Sequence, residues 1–302
     1  MKIAPYLQAG DQIALVAPAR KIIHDEIAVA IRKMESAGYR VVYEEDLFAE
    51  FHQFAGEDPI RVATFQRYLD DPAIRMIWCV RGGYGSVRII DQLDFTAFQK
   101  SPKWIAGFSD ITVFHSHIHQ LSGIPTLHCA MPVNILADDD DPGFLSLLKI
   151  IRGEAMTYRI DSHSLNRTGV AHGKLVGGNL SILYSLMGSP SSLDTAGKIL
   201  FIEDLDEYLY HIDRMMMQLK RAGKLDSLAG LIVGGMSEMN DNSIPFGFEA
   251  EQIIRAHCER YSFPVCFGFP AGHIPDNRAL KLGVDVELKI DNEGVTLKEI
   301  SN

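Results

Sequence analysis

The amino-acid sequence predicts an α/β protein with two parts. The N-terminal part has a largely parallel, Rossmann-like or flavodoxin-like sheet, and the C-terminal part mixes strands and helices. Three observations predict this fold. Short apolar runs alternate with segments of helical spacing in the first half, and a polar stretch separates this half from the rest. The 302 residues also suffice for two domains of roughly 150 residues each.

The elements of the first half each have a local signal. Residues 13–17 form a short apolar run that ends at Pro18, which indicates a buried strand. Residues 24–37 have apolar positions at helical spacing and are followed by Gly38, a common helix stop. Asp58 and Pro59 open the next helix, with Asp58 as the predicted N-cap. The other predicted elements are strands at 41–43, 74–80 and 104–107 and a helix at about 110–121.

The second half begins after residues 156–172, a polar segment predicted to be a linker. It separates an N-terminal domain (1–155) from a C-terminal domain (173–302). The C-terminal domain shows no single regular alternation, so its α and β content is predicted to be mixed. Its predicted strands are at about 198–203, 229–234, 264–267 and 284–290, and its predicted helices are at about 178–187, 209–222 and 247–259.

Composition excludes several functional classes. The formal net charge is −10, with 39 acidic and 29 basic residues, which argues against binding to nucleic acid or to anionic membranes. The four cysteines show no CxxC spacing, so we expect neither a disulfide framework nor a zinc site. The N-terminus does not resemble a signal peptide, and no apolar run approaches the roughly 20 residues of a membrane span. We therefore expect a cytoplasmic protein.

Ser109 lies between a predicted strand and a predicted helix, two residues after Gly107. A sharp turn at such a place exposes a nucleophilic hydroxyl above a sheet edge, and the N–H groups of the following helix favour an oxyanion. The alternative is that Ser109 only caps the helix. The full G-x-S-x-G pattern is not met, because Ile111 occupies the last glycine position.

A glycine-rich turn, Val80–Gly85 (VRGGYG), follows another predicted strand. The N–H groups of Gly82 and Gly83 are candidates to complete an oxyanion hole or to bind a phosphate. A purely structural turn is the alternative, since the spacing is not G-x-G-x-x-G.

Acidic residues and histidines supply the other candidates. Glu203 belongs to a run of acids that follows a predicted strand, where a carboxylate can orient a histidine or simply face solvent. His273 lies in a Gly/Pro-rich loop, which favours a catalytic role over that of a helix histidine. His115, His117 and His119 form an HxHxH run without an HExxH pattern, so no metal is expected there.

Taken in order, these segments resemble the LD-carboxypeptidase family, also called muramoyltetrapeptide carboxypeptidases. The resemblance covers nearly the whole chain. It rests on VRGGYG (80–85), GFSD (107–110), GGNLSIL (177–183), IEDLDE with YHIDRMMMQL (202–219) and GH (272–273). The chain departs from the family pattern at residues 17–20 (APAR), where relatives usually have small hydroxyl residues after the proline.

The resemblance implies a Ser–His–Glu triad of Ser109, His273 and Glu203, split between the two domains. It also implies an oxyanion hole from the backbone N–H groups of Asp110, Gly82 and Gly83. The implied reaction needs no metal or cofactor. It releases terminal D-alanine from a murein tetrapeptide or related peptide during peptidoglycan recycling, and the implied assembly is a homodimer. Arg81 is a conceivable partner for the free carboxylate of such a substrate.

Three alternatives stay open at this point. A microcin-C-type self-immunity peptidase would share the fold and triad and would need an aromatic pair to stack on adenine. A general α/β-hydrolase esterase is disfavoured by the missing glycine and the absence of an HGGG-type turn. A non-catalytic, doubly wound binding protein would use the glycine turn to hold phosphate.

Overall fold

Two β-sheets organise the chain in the computed structural model, which describes residues 2–300. The first half contains β1 (Gln12–Val16), α1 (His24–Ser36), β2 (Arg40–Val42), α2 (Asp58–Asp70), β3 (Ile74–Cys79), α3 (Ser86–Ile89), α4 (Thr96–Lys100), β4 (Trp104–Gly107), α5 (Thr112–Ser122), β5 (Thr126–His128) and α6 (Pro142–Ile151). The second half contains β6 (Thr157–Ile160), β7 (Gly169–Asn179), α7 (Leu180–Ser185), β8 (Ile199–Leu205), α8 (Leu209–Arg221), β9 (Gly230–Ser237), α9 (Ala250–Cys258), β10 (Val265–Cys266), β11 (Leu280–Leu282), β12 (Asp285–Ile290) and β13 (Val295–Glu299).

The first sheet has the strand order β11-β5-β4-β3-β1-β2. All of its pairs are parallel except that of β11 with β5. Its central strands are short apolar runs because both faces are covered; β4, for example, is buried along its whole length. The carboxyl ends of β3 and β4 lie side by side, so the loops that follow them meet at one edge.

The second sheet has the order β10-β9-β8-β7-β12-β13-β6. Strands β7 to β10 pair in parallel, whereas β12, β13 and β6 pair antiparallel. The structure therefore confirms the predicted α/β class, with a largely parallel sheet in one part and a mixed sheet in the other.

The segment predicted as a linker, residues 156–172, contains strand β6 and the beginning of β7. A search for apolar runs misses β6, because it is an edge strand in which exposed and half-buried residues alternate. The prediction of a linker is therefore corrected: polar residues of this segment form strands of the second sheet, where β6 pairs with β13 and β7 pairs with β12.

Strand β11 ties the two halves together. Although it follows β10 of the second sheet, it joins the first sheet, where Leu280 pairs with His128 of β5. The chain between β10 and β11 therefore passes from one sheet to the other, and it carries His273 across the junction. This crossing brings His273, which belongs to the C-terminal half, to the edge of the first sheet where the loop after β4 begins.

None of the helices between residues 2 and 300 combines the length and the apolar character needed to cross a membrane. The thiols of the four cysteines are buried and form no disulfide.

Candidate active site

Ser109, the predicted nucleophile, lies in a strained turn between β4 and α5. Its φ is +64°, in the left-handed region that non-glycine residues rarely adopt, and such strain is common at functional sites. The turn is tight because Gly107, with φ +150°, leaves no room for a side chain: a Cβ there would lie 2.9 Å from Ile111 Cγ1. Within residues 2–300, α5 begins without a side-chain cap, so the geometry does not support the alternative that Ser109 caps this helix.

The glycine turn after β3 lies directly against Ser109. A Cβ on Gly82 would stand 3.0 Å from Ser109 Cβ, 3.1 Å from its Oγ and 3.3 Å from the backbone nitrogen of Asp110. The absence of a side chain at residue 82 therefore lets the glycine turn approach both the hydroxyl and the Asp110 N–H closely. A close approach of the two loops is what the predicted oxyanion hole requires, because its N–H donors come from both of them.

The side chain of Asp110 joins the two loops. Its Oδ2 accepts a hydrogen bond of 2.8 Å from the backbone N–H of Ser86, the first residue of α3. Burial raises the pKa of Asp110, although the hydrogen bonds from Ser86 oppose that shift. The contact holds the end of the glycine turn next to the serine.

On the other side of the site, Glu203 and His273 form a hydrogen-bonded pair. Oε2 of Glu203 lies 2.6 Å from Nδ1 of His273 and also accepts the backbone N–H of His273 at 3.2 Å. The glutamate is fully buried in β8, and the histidine side chain is 15% exposed. Gly272 allows the close approach, since a Cβ there would lie 2.7 Å from Glu203 Oε2.

The charge of Glu203 determines the ionisation of His273. Burial by itself lowers the pKa of His273, but the hydrogen bond to Glu203 and the charge of that carboxylate outweigh it, so the net pKa is raised. Because Nδ1 faces the carboxylate and donates its proton there, Nε2 is the ring nitrogen left to accept a proton. The neighbouring Asp204 has its pKa raised to about 7 by burial and by the charge of Glu203.

The two sides meet through Phe108 and the start of α5. The ring of Phe108 lies 4.7 Å from the His273 ring, centroid to centroid. The backbone N–H of Asn179 donates to Thr112 Oγ1 at 3.0 Å, and a Cβ on Gly178 would lie 2.4 Å from that same oxygen. Within residues 2–300, the Ser109 hydroxyl makes no hydrogen bond to His273. Such bonds are often long in ligand-free enzymes and tighten when substrate binds.

The three histidines of the HxHxH run do not act as one group in this site. His115 Nε2 lies 2.9 Å from the carbonyl oxygen of Gly107, and His117 Nδ1 lies 2.9 Å from Ser191 Oγ. Burial lowers the pKa of both His115 and His119 to about 4, which keeps them neutral.

Three contributors to the site were not predicted individually. Phe108 contacts the histidine, Asn179 joins the halves through Thr112, and Arg20 lies over Gly83. The motif GGNLSIL (177–183) marked the Asn179 region but carried no role. Arg81 has a partner already, because its Nη1 lies 2.9 Å from Glu26 Oε1.

The fold and the site together are those of a hydrolase with two α/β parts, in which the strained Ser109 follows Phe108 and the Phe108 ring contacts the imidazole of the buried Glu203–His273 pair. Residues 13–129 match the LD-carboxypeptidase N-terminal domain, and residues 172–288 match the LD-carboxypeptidase C-terminal domain. The chain therefore belongs to the LD-carboxypeptidase family, and the protein is a peptidase.

Similar proteins span almost the full chain. A probable murein peptide carboxypeptidase of Bacillus subtilis (strain 168) is 34% identical over 281 residues, which cover 92% of this chain and 88% of that protein. The crystal structure of muramoyltetrapeptide carboxypeptidase from Oxalobacter formigenes has a TM-score of 0.87 and 28% identity, covering 96% and 99% of the two chains. The microcin C7 self immunity protein MccF, in complex with aspartyl sulfamoyl adenosine, shares the fold with a TM-score of 0.87 at 22% identity over 98% of both chains.

Proposed function

We propose that the protein is a serine carboxypeptidase that hydrolyses the L,D-peptide bond before the terminal D-alanine of murein tetrapeptides. The observation that carries this proposal is the 2.6 Å contact between Glu203 and His273, whose ring lies 4.7 Å from that of Phe108, the residue before the strained Ser109. The names of the similar proteins from Bacillus subtilis and Oxalobacter formigenes support the class of substrate.

In the proposed reaction, Ser109 is the nucleophile and His273 is the general base. Nε2 of His273 takes the hydroxyl proton as Oγ attacks the scissile carbonyl carbon. The backbone N–H groups of Asp110, Gly82 and Gly83 stabilise the oxyanion. Glu203 holds the imidazole in the required tautomer and stabilises the imidazolium that forms.

The tetrahedral intermediate collapses when His273 returns the proton to the leaving nitrogen. D-Alanine departs with a free amino group, and the rest of the peptide stays bound to Ser109 as an ester. Water then attacks the ester carbonyl while His273 accepts its proton, and the serine leaves with that proton restored. Two acyl transfers thus complete one hydrolysis, and neither step needs a metal.

The experiment is a comparison of stereoisomers and of substrate classes. The enzyme is incubated with a tetrapeptide that ends in D-alanine, with its all-L isomer, and with aspartyl sulfamoyl adenosine, and the products are identified by mass spectrometry. We expect release of alanine from the first substrate only. Turnover of the sulfamoyl nucleoside alone would favour an immunity peptidase, for which the exposed Tyr84 beside Phe54 offers an aromatic surface. No turnover of any substrate would contradict the proposal.

We further propose that the enzyme acts in the cytoplasm, in peptidoglycan recycling, and as a homodimer. The buried, unpaired thiols support a reducing compartment. Ile244 and Phe248, which are 84% and 61% exposed, offer an apolar surface suited to self-association. Sedimentation of the wild-type protein and of Phe248→Asp tests the dimer, which the aspartate is expected to weaken.

A further inference from the structure

Arg20 lies over the glycine turn that faces Ser109. Its backbone N–H donates to the carbonyl oxygen of Gly82 at 3.4 Å. Its side-chain stem covers Gly83: a Cβ on that glycine would lie 2.1 Å from Arg20 Cδ and 2.6 Å from Cγ. The arginine can lie there only because residue 83 has no side chain. Gly83 also has φ +104°, which favours glycine for a second reason.

The charge of Arg20 is not used within the protein. Arg20 is exposed, and within residues 2–300 its guanidinium has neither a carboxylate partner nor a hydrogen bond. Neighbouring arginines differ in this respect. Arg81 pairs with Glu26 at 2.9 Å, and Arg61 and Arg88 both pair with Asp58. An unpaired guanidinium above the turn that contacts the serine is available to bind an anionic group of a ligand.

The spacing along the turn suits the terminal residue of a peptide. Gly82 lies against Ser109, where the scissile carbonyl must sit, and Gly83 lies one residue further along. In a substrate, the terminal carboxylate likewise lies one residue, or about 3.8 Å, beyond the scissile carbonyl. Because the Arg20 side chain lies over Gly83, its guanidinium is within reach of that carboxylate.

The opposite side of the site has the wrong charge for a carboxylate. A cavity of about 400 Å³ adjoins His273, and its lining includes Glu238 but not Arg20. Glu238 is exposed and has a strained φ of +53°. The carboxylate of Glu238 repels a substrate carboxylate and attracts the amino groups of a peptide, so this cavity suits the acyl part of the substrate.

We propose that Arg20 binds the terminal carboxylate of the peptide substrate and thereby makes the enzyme an exopeptidase. This inference rests on the proposed function and adds the residue that selects a free chain end. The guanidinium fork matches the two oxygens of a carboxylate and finds no equivalent partner in an amidated chain end.

The experiment measures binding and turnover separately. Binding uses the Ser109→Ala protein and two ligands, a tetrapeptide ending in D-alanine and its C-terminal amide. Turnover uses the protein with Ser109 intact and the same two peptides. Each measurement is repeated with Arg20→Gln and with a matched control, Arg81→Gln, which removes a nearby guanidinium that is already paired.

With Arg20 intact, we expect a preference for the acid over the amide of roughly 10- to 100-fold. The Ser109→Ala protein should show it in the dissociation constant, and the protein with Ser109 intact should show it in kcat/KM. Arg20→Gln should abolish this preference by weakening only the acid, and Arg81→Gln should leave it in place. The comparison of the two peptides needs no variant at residue 20, so it stands even if Arg20→Gln folds poorly.

Three results would overturn the inference. If the acid is hydrolysed but Arg20→Gln keeps the preference, or Arg81→Gln removes it, Arg20 is not the anchor and the proposed function is unaffected. If acid and amide are bound and hydrolysed equally well by the proteins with an intact Arg20, the site does not select a free chain end. Absence of both binding and hydrolysis of the acid would instead contradict the proposed function, and the inference with it.

Discussion

The N-terminal and C-terminal sides of the site hold their functional groups by different means. Ser109 is positioned by backbone conformation, with φ +64° in a turn flanked by Gly107 and Gly82. Glu203 and His273 have no left-handed φ, and they are positioned by burial and by a 2.6 Å side-chain hydrogen bond. We therefore expect substitutions that change the backbone conformation to impair the Ser109 side. Substitutions that change side-chain charge should impair the Glu203–His273 side.

Removal of the proposed nucleophile should have the largest effect. Ser109→Ala eliminates the attacking oxygen without touching the pair on the other side, so we expect kcat to fall by a factor on the order of 10⁶. Steady-state release of alanine measures this loss, and circular dichroism checks the fold. A variant with near-normal turnover would show that another group attacks the substrate.

Neutralisation of the buried acid should have the next largest effect. Glu203→Gln removes the charge that supports the imidazolium, and we expect kcat to fall by about 10⁴-fold, as for the equivalent change in other triads. Gln at residue 203 can still form the hydrogen bond to His273 and so keep the imidazole in place. The thermal stability should therefore change far less than the rate.

The same variant should also shift the pH profile. His273 must be neutral to act as a base, so kcat/KM of the wild type should fall as the pH drops through the raised pKa of His273, above 6.5. Without Glu203, the largest contributions that oppose burial are lost and the pKa of His273 falls, so the acid limb of the Glu203→Gln profile should move to lower pH. A limb at unchanged pH would mean that another group titrates.

A methyl group on the glycine turn should have a smaller effect on rate. The methyl of Gly82→Ala would stand 3.0 Å from Ser109 Cβ and 3.3 Å from the Asp110 nitrogen, so it would push the turn away from the proposed oxyanion donors, and we expect a loss of about 10²-fold in kcat. Gly230→Ala is the matched control, because its Cβ would meet core atoms at 3.3 Å far from the serine. Equal losses of activity in both variants would point to misfolding rather than to a blocked oxyanion hole.

Much of the first half of this site follows from local sequence signals. The apolar run 104–107, the glycine at 107 and the helical pattern after Ser109 are neighbours in the chain, so their spacing predicts a strand, a turn and a helix. Turn residues and periodicity act over a few positions, which is why these elements were predicted with bounds close to those observed.

The meeting of the two halves depends on long-range contacts that periodicity does not encode. Strand β11 has three residues, and it joins a sheet whose other strands lie more than 150 residues earlier. Only the resemblance to a family indicated that His273 approaches Ser109. The position of Arg20 was not predicted either, since it depends on the empty space above Gly83, a residue distant in sequence.

The smallest predicted effect concerns stability and tests whether the backbone of Ser109 is strained. At φ +64°, glycine is favoured over alanine, so Ser109→Gly should be more stable than Ser109→Ala by about 1 kcal/mol although both lack the hydroxyl. In the middle of α5 the order reverses: Ser116→Gly should be less stable than Ser116→Ala by about 1 kcal/mol. Urea unfolding measures both differences. If glycine is the less stable replacement at both positions, the backbone of Ser109 is not strained, and the contrast between the two sides of the site fails.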